Sequence, residues 1–304
     1  MAVSSNKKYG LPYQGSKRRI ADKIIDLLPR APVLVDLFAG GCAVTHAALE
    51  SGKFESVIAN DLSDAPVLFY YVSRYGVTAP RWVSREEFFA KKDNDPFIKY
   101  IYSFGNAGRS YLYGRNVEPL KYAGHRAVVD GDCSYLPEFL REKVDHALAG
   151  HVGVLERYAR YKAAIRGIVQ DRDADNLEHL DRIKRLQHIG CIKRLQNLEC
   201  IKRLQHIDSS GLAVTQKDYR NVHIPNDAIV YCDPPYACTA GYAEHFDHNE
   251  FYDWCRAVAK SRRIFVSEYQ MPADFKCIAE FEVRALAEVS TRSQLRVEKL
   301  FILD

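Results

Sequence analysis

The residues best suited to chemistry in this chain are Asp233, Pro234, Pro235 and Tyr236, which follow the run Ile229-Val230-Tyr231-Cys232. An apolar run of that kind reads as a buried strand, and the residues after it leave a carboxylate and a flat ring at the strand's carboxyl edge. In open α/β sheets that edge is where ligands bind. Each residue type has a use if the substrate is an amino group on a heteroaromatic ring, whose nitrogen lone pair is delocalised and therefore a poor nucleophile. The Asp233 carboxylate can accept one amino hydrogen and the Pro234 carbonyl the other. Two such bonds favour a pyramidal nitrogen and localise its lone pair for attack on an electrophile. Successive prolines fix φ and remove two N–H donors, so the turn is stiff. Tyr236 offers a ring face for stacking, worth roughly 1–3 kcal/mol per base. The plainer alternative is that Pro234-Pro235 only ends a strand.

The elements that must position this turn lie at both ends of the chain. Residues 33–38 read as a strand running into Ala39-Gly40-Gly41 and a helix from about Cys42 to Glu50, closed by Gly52. Glycines at such a turn let a ligand approach the N–H groups at the helix start. A second strand, 56–59, ends in Asn60-Asp61, about where nucleotide-binding folds place an acidic residue for ribose hydroxyls. Upstream, Ser16 reads as an N-cap, Ile20, Ile24, Leu27 and Leu28 repeat at helical spacing, and Pro29 stops the helix. Together these features point to an adenosine-containing cofactor.

Asp-Pro-Pro-Tyr followed by Thr239 and Tyr242 resembles the catalytic loop of the S-adenosylmethionine-dependent DNA adenine (N6) methyltransferases in which the cofactor motif precedes the catalytic one. Tyr13-Gln14-Gly15-Ser16-Lys17, the Asp36-x-Phe38-x-Gly40 turn and Asp61 resemble further motifs of that family, and Ser267-Glu268-Tyr269 resembles one of its strand ends. The resemblance implies S-adenosyl-L-methionine as cofactor. Tyr13 and Lys17 would contact the cofactor or the active-site mouth. Asp36 and Gly40, with Phe38 between them, would meet the methionine part, Asp61 the ribose, and Asp218, beside Tyr219, the adenine amino group. Asp233 would border the cofactor as well as carrying the catalytic turn. One departure stands out: Cys42 occupies the position of the family's last glycine, with an extra glycine at Gly41. A solvated basic run, Lys17-Arg18-Arg19, is the bland alternative for Lys17.

Between residues 81 and 170 the chain changes character. Ser84 with Glu87 reads as a capping box, and residues 137–150 and 154–169 read as helices. Residues 102–115 combine glycines, aromatic rings, an amide and two arginines, types that read base edges, wedge into stacks and neutralise phosphate. This composition resembles the opening of the family's target-recognition part, with Asn106, Arg109, Tyr111 and Arg115 expected on DNA; a folded hairpin with a tyrosine core is the alternative. Ile-Lys-Arg-Leu-Gln then begins at Ile183, Ile192 and Ile201, a nine-residue repeat read as a tandem duplication in a spacer. Further on, Glu244-His245-Phe246-Asp247-His248 tempts a metal reading, but Asp247 as N-cap with Glu250 explains it better. No metal is expected.

Composition sets wider bounds. The 304 residues are 47% hydrophobic and 27% charged, with a formal net charge of +4, which neither demands nor excludes nucleic acid. Eight scattered cysteines show no zinc or disulfide spacing and read as reduced thiols. No apolar run has the length of a membrane span, and residues 1–6 lack a signal-peptide core, so a cytoplasmic protein is expected. The expected fold is a Rossmann-like α/β methyltransferase sheet from residues 1–80 and 171–304, with a mainly helical target-recognition insertion at 81–170. The expected activity is methyl transfer to the amino group of an adenine flipped out of double-stranded DNA, with a restriction-modification role and a monomer among the options. An RNA adenine methyltransferase, a cytosine-amino methyltransferase and an inert DNA-binding relative are the rivals. Asp233 argues against the cytosine type, whose loop usually starts with Ser.

Overall fold

The computed structural model describes residues 9–76, 81–151, 153–170, 201–236, 246–284 and 295–303. The chain divides into one unit of residues 1–76 with 201–304 and another of residues 77–200. The first two copies of the nine-residue repeat, the expected boundary at 171, and Thr239, Tyr242, Glu244 and His245 all lie outside the described residues.

The first unit is a seven-stranded mixed sheet of α/β type, consistent with the Rossmann-like sheet expected from the sequence. Its strands are β1 (Val33–Asp36), β2 (Ser56–Asn60), β3 (Leu212–Thr215), β4 (Ala228–Cys232), β5 (Arg263–Glu268), β6 (Lys276–Arg284) and β7 (Leu295–Leu303). They are ordered β3-β2-β1-β4-β5-β7-β6. The first five are parallel, and β7 runs antiparallel to both β5 and β6. All five residues of β4 are buried, as its unbroken apolar sequence requires of a strand flanked on both sides. From β1 the chain winds outward through β2 and β3, then returns to lay β4 on the opposite side of β1. Such a reversal places the carboxyl ends of β1 and β4 at the topological switch point, where open α/β sheets bind ligands. β6 escaped the sequence reading, because Lys276, Glu280, Glu282 and Arg284 dilute the apolar signal of an edge strand with one solvated face.

Helix α1 (Ala21–Leu27) begins later than the sequence suggests. Ile20 is its N-cap, and the Ser16 hydroxyl is buried with no hydrogen-bond partner among the described residues. Residues 13–17 therefore form a turn, with Gly15 at φ +74°, rather than the first turn of a helix. Helix α2 (Ala43–Ser51) ends at Gly52, φ +61°, as expected. Cys42, just before it, is fully buried at φ 58°. The chain thus keeps at Cys42 the left-handed turn that glycine would take more readily. Helix α3 (Ala65–Tyr75) follows β2.

In the second unit, α4 (Arg85–Lys91) is capped by Ser84, whose hydroxyl accepts from Glu87 N at 3.1 Å. Then come α5 (Pro96–Ile101), α6 (Glu118–His125), α7 (Glu138–Leu148) and α8 (Val154–Gln170). Leu140, Val144 and Leu148 of α7 meet Tyr161 and Ile165 of α8 and Ala123 of α6 in a helical core. Back in the first unit, α9 (His248–Ala259) is capped by Asp247, which accepts from Asn249 N and Glu250 N. Its Phe251 and Cys255 pack on Val35, Val230, Ile264 and Val266 of the sheet. No helix among the described residues is long and apolar enough to cross a membrane.

Candidate active site

Asp233 follows the last residue of β4, so the buried strand delivers its carboxylate to the carboxyl edge of the sheet. Lys17 meets it there. The ammonium donates to Oδ1 at 2.6 Å and to Oδ2 at 2.7 Å, and stands 3.5 Å from Glu298 Oε2 on β7. The lysine side chain is only 5% exposed, against 17% for Asp233 and 15% for Glu298. Burial opposes the lysine's charge, but the two carboxylates outweigh it and hold the pKa above its ordinary value. Burial pushes Asp233 and Glu298 upward, with Lys17 opposing in each case. The same ammonium lies 4.7 Å from the centroid of the Tyr236 ring, which also packs edge-on to Tyr269 at 4.6 Å. A further contact fixes the turn: His248 Nε2 is 2.9 Å from the Pro235 carbonyl oxygen, tying it to the first residue of α9.

Beside this cluster the glycine turn is held from three directions. Asp61 accepts from Gly40 N at 2.8 Å, and Asn60 donates to Leu37 O and Lys217 O while accepting from Thr215 Oγ1 and Lys217 N. Asn60, 1% exposed, thereby locks the ends of β1, β2 and β3 together. From above, residues 9–13 cross the turn: Leu11 N donates to Gly41 O at 2.7 Å and Gly10 N to His46 Nδ1 at 2.9 Å. A Cβ on Gly40 would stand 2.9 Å from the Tyr13 ring, so the glycine admits that ring. Phe38 packs with Tyr219, Phe246 and Phe251 at ring separations of 5.3, 5.9 and 5.7 Å. Asp218 is paired through both oxygens with Arg220, which also reaches Glu250.

Asp36 is 1% exposed, and its Oδ2 accepts from Thr45 Oγ1 at 2.7 Å and Thr45 N at 3.2 Å. Burial raises its pKa to about 7, against the two Thr45 bonds. Between the ordinary 3.8 and about 7 the folded chain holds a proton that the unfolded chain has lost. Ionisation of Asp36 therefore costs stability as pH rises through that window, and the full penalty is present above it. Asp36→Asn should then melt above the wild type at pH 8 by an amount worth up to roughly 4 kcal/mol, with no gain at pH 3. Thermal melts of both proteins across pH check this; equal differences at the two pH values would refute it.

The four residues expected on DNA separate into two groups. Asn106, 6% exposed, donates through Nδ2 to Tyr100 O at 2.9 Å and sits at φ 58°, while Tyr111, 4% exposed, donates its hydroxyl to Val83 O at 2.7 Å. Both side chains are engaged inside the unit, where they shape the hairpin bridged at Ser103 and Tyr111, rather than lying on its surface. Arg109 and Arg115 are exposed, as those assignments need. Phe104, 72% exposed and preceding Gly105 at φ 66°, is an exposed wedge-like ring that the sequence reading passed over. Glu298, Asn60 and His46 were also missed, because each acts across a long sequence separation that no local spacing reveals.

No curated protein matches the chain. The family model for D12 class N6 adenine-specific DNA methyltransferase matches residues 13–109, which include the Tyr13–Lys17 turn, the glycine turn and Asp61, and leave the Asp233–Tyr236 turn outside. Over those residues, about a third of the chain, the sequence is similar to the D12 class N6 adenine-specific DNA methyltransferases.

Proposed function

We propose that the chain transfers the methyl group of S-adenosyl-L-methionine to N6 of an adenine turned out of double-stranded DNA. The observation that carries this reading is the carboxylate of Asp233 at the end of β4, already receiving N–H donors through both oxygens beside the Tyr236 ring. In the reaction Asp233 and the Pro234 carbonyl accept the two amino hydrogens, Pro235 keeps the turn rigid, and the flipped base stacks on Tyr236. Extrusion costs a few kcal/mol.

The residues fit the methyl donor. Asp36, Asp61 and Asp233 form a carboxylate set near the glycine turn that suits a sulfonium and ribose hydroxyls. Tyr13, Lys17, Phe38, Gly40, Asp61, Asp218 and Tyr219 would hold it with them. When bound, it supplies an activated methyl group. The chain's own residues orient the amino nitrogen, exclude water and take up the amino proton, for which the raised carboxylate of Asp233 is placed. No step calls for a metal ion.

Exposed Arg109 and Arg115 are assigned to DNA phosphate, with Phe104 as the wedge. Arg109→Ala and Arg115→Ala should each weaken duplex binding and reduce the slope of log affinity against log salt by about 1. Fluorescence anisotropy at several salt concentrations reads this, and unchanged slopes would sink the assignment. The reaction itself is tested by incubating the protein with S-adenosylmethionine and unmethylated duplex DNA, then analysing nucleosides by mass spectrometry. N6-methyladenine that disappears with Asp233→Ala supports the proposal. Methylation of structured RNA in place of DNA would transfer the reading to RNA, and none on either would leave an inert relative.

A further inference from the structure

Lys17 sits where the substrate is expected. Its ammonium donates to both oxygens of Asp233 and lies over the Tyr236 ring, so the amino group of an incoming base meets a carboxylate already engaged. The lysine cannot simply withdraw, because a 5% exposed ammonium without a counter-charge is costly. Glu298 offers a second partner. Its Oε2 is buried, makes no hydrogen bond among the described residues, and lies 3.5 Å from Nζ. Shortening that distance to about 2.8 Å, the usual length of a charge-assisted bond, needs only a torsion in the four-carbon stem.

We propose that Glu298 is a positioning residue for methyl transfer: Lys17 holds the place of the substrate amino group on Asp233 and passes to Glu298 when adenine enters. The inference rests on the reading of Asp233 as the carboxylate that receives the target amino group. One ammonium shared by two carboxylates leaves the cluster with one net negative charge, which complements a bound sulfonium. Glu298 thus keeps Lys17 charged and buried while at least one Asp233 oxygen is released. Standing between them, the same lysine keeps Asp233 and Glu298 from repelling each other.

The direct test is a crystal structure of Asp233→Asn without cofactor or DNA, in which residue 233 no longer competes for the ammonium as an anion. Lys17 Nζ should close on Glu298 to about 2.8 Å. A distance that stays at 3.5 Å or lengthens would overturn the proposal. A kinetic test accompanies it. Glu298→Gln should lower kcat about tenfold, the size of a lost bond to a charged group, with KM for S-adenosylmethionine within about twofold and partial recovery in Glu298→Asp. In a Lys17→Met background the same substitution should change nothing further. A loss that persists there, or falls on KM and kcat alike with a lowered Tm, would make Glu298 merely structural. If the wild type methylates no nucleic acid the reading of function fails, whereas the crystallographic distance still decides where Lys17 goes.

Discussion

Replacing Asp233 by alanine is expected to lower the rate of adenine methylation by about a thousandfold, the size seen when a preorganised hydrogen-bonding group at a reacting centre is removed. The carboxylate's task is to make an aromatic amine nucleophilic, and nothing else in the cluster can take it over. Lys17 is a donor, and Glu298 is held off by that lysine. The fold should survive, because truncating Asp233 leaves Lys17 a remaining anion and relieves a carboxylate that burial already disfavours. Affinity for S-adenosylmethionine should fall by less than about tenfold, since Asp36 and Asp61 remain beside the glycine turn. Single-turnover methylation followed by nucleoside analysis, with calorimetry for cofactor affinity, separates the two. A variant that keeps a tenth or more of the rate would remove Asp233 from the chemistry.

What the sequence disclosed was local. β1, β4 and the Asp233–Tyr236 turn were legible because a fully buried parallel strand is apolar throughout and ends abruptly where the chain turns polar. Gly52 and Asp247 were legible as helix ends because each has a side-chain or backbone property that only such a position uses. The start of α1 was not, since Ser16 has the composition of a cap while residues 13–17 are bent by contacts with the glycine turn that lie outside local sequence. The burial of Asn106 and Tyr111 was hidden for a related reason. An amide or a phenol hydroxyl serves equally to read a base or to satisfy a backbone carbonyl, and only burial tells the two apart. Glu298 could not be found at all, being separated from Lys17 by almost the whole chain.

Gly10→Ala is expected to cost about 3 kcal/mol or more of stability, in the range of severe backbone substitutions, and to weaken S-adenosylmethionine at least tenfold. Gly10 has φ +66°, and a Cβ there would lie 2.4 Å from Gly41 O, 2.7 Å from Ala43 N and 2.8 Å from Ala43 Cα. All three are backbone atoms of the turn that opens α2, so no side chain can swing aside. The methyl group can be accommodated only by lifting residues 9–13, which breaks the bonds from Gly10 N to His46 and from Leu11 N to Gly41 O. Tyr13 would then leave Gly40, and Lys17, a few residues on, would lose its register with Asp233. Gly52→Ala is the matched control: its φ is +61°, yet a Cβ there meets nothing within 4 Å. It should therefore show only the left-handed penalty of about 1 kcal/mol and no change in cofactor affinity. Thermal melts and calorimetry on both variants decide the matter. Should Gly10→Ala behave as Gly52→Ala does, the segment of residues 9–13 would carry no part of the cofactor turn's geometry, and the placement of Lys17 would have to come from α1 alone.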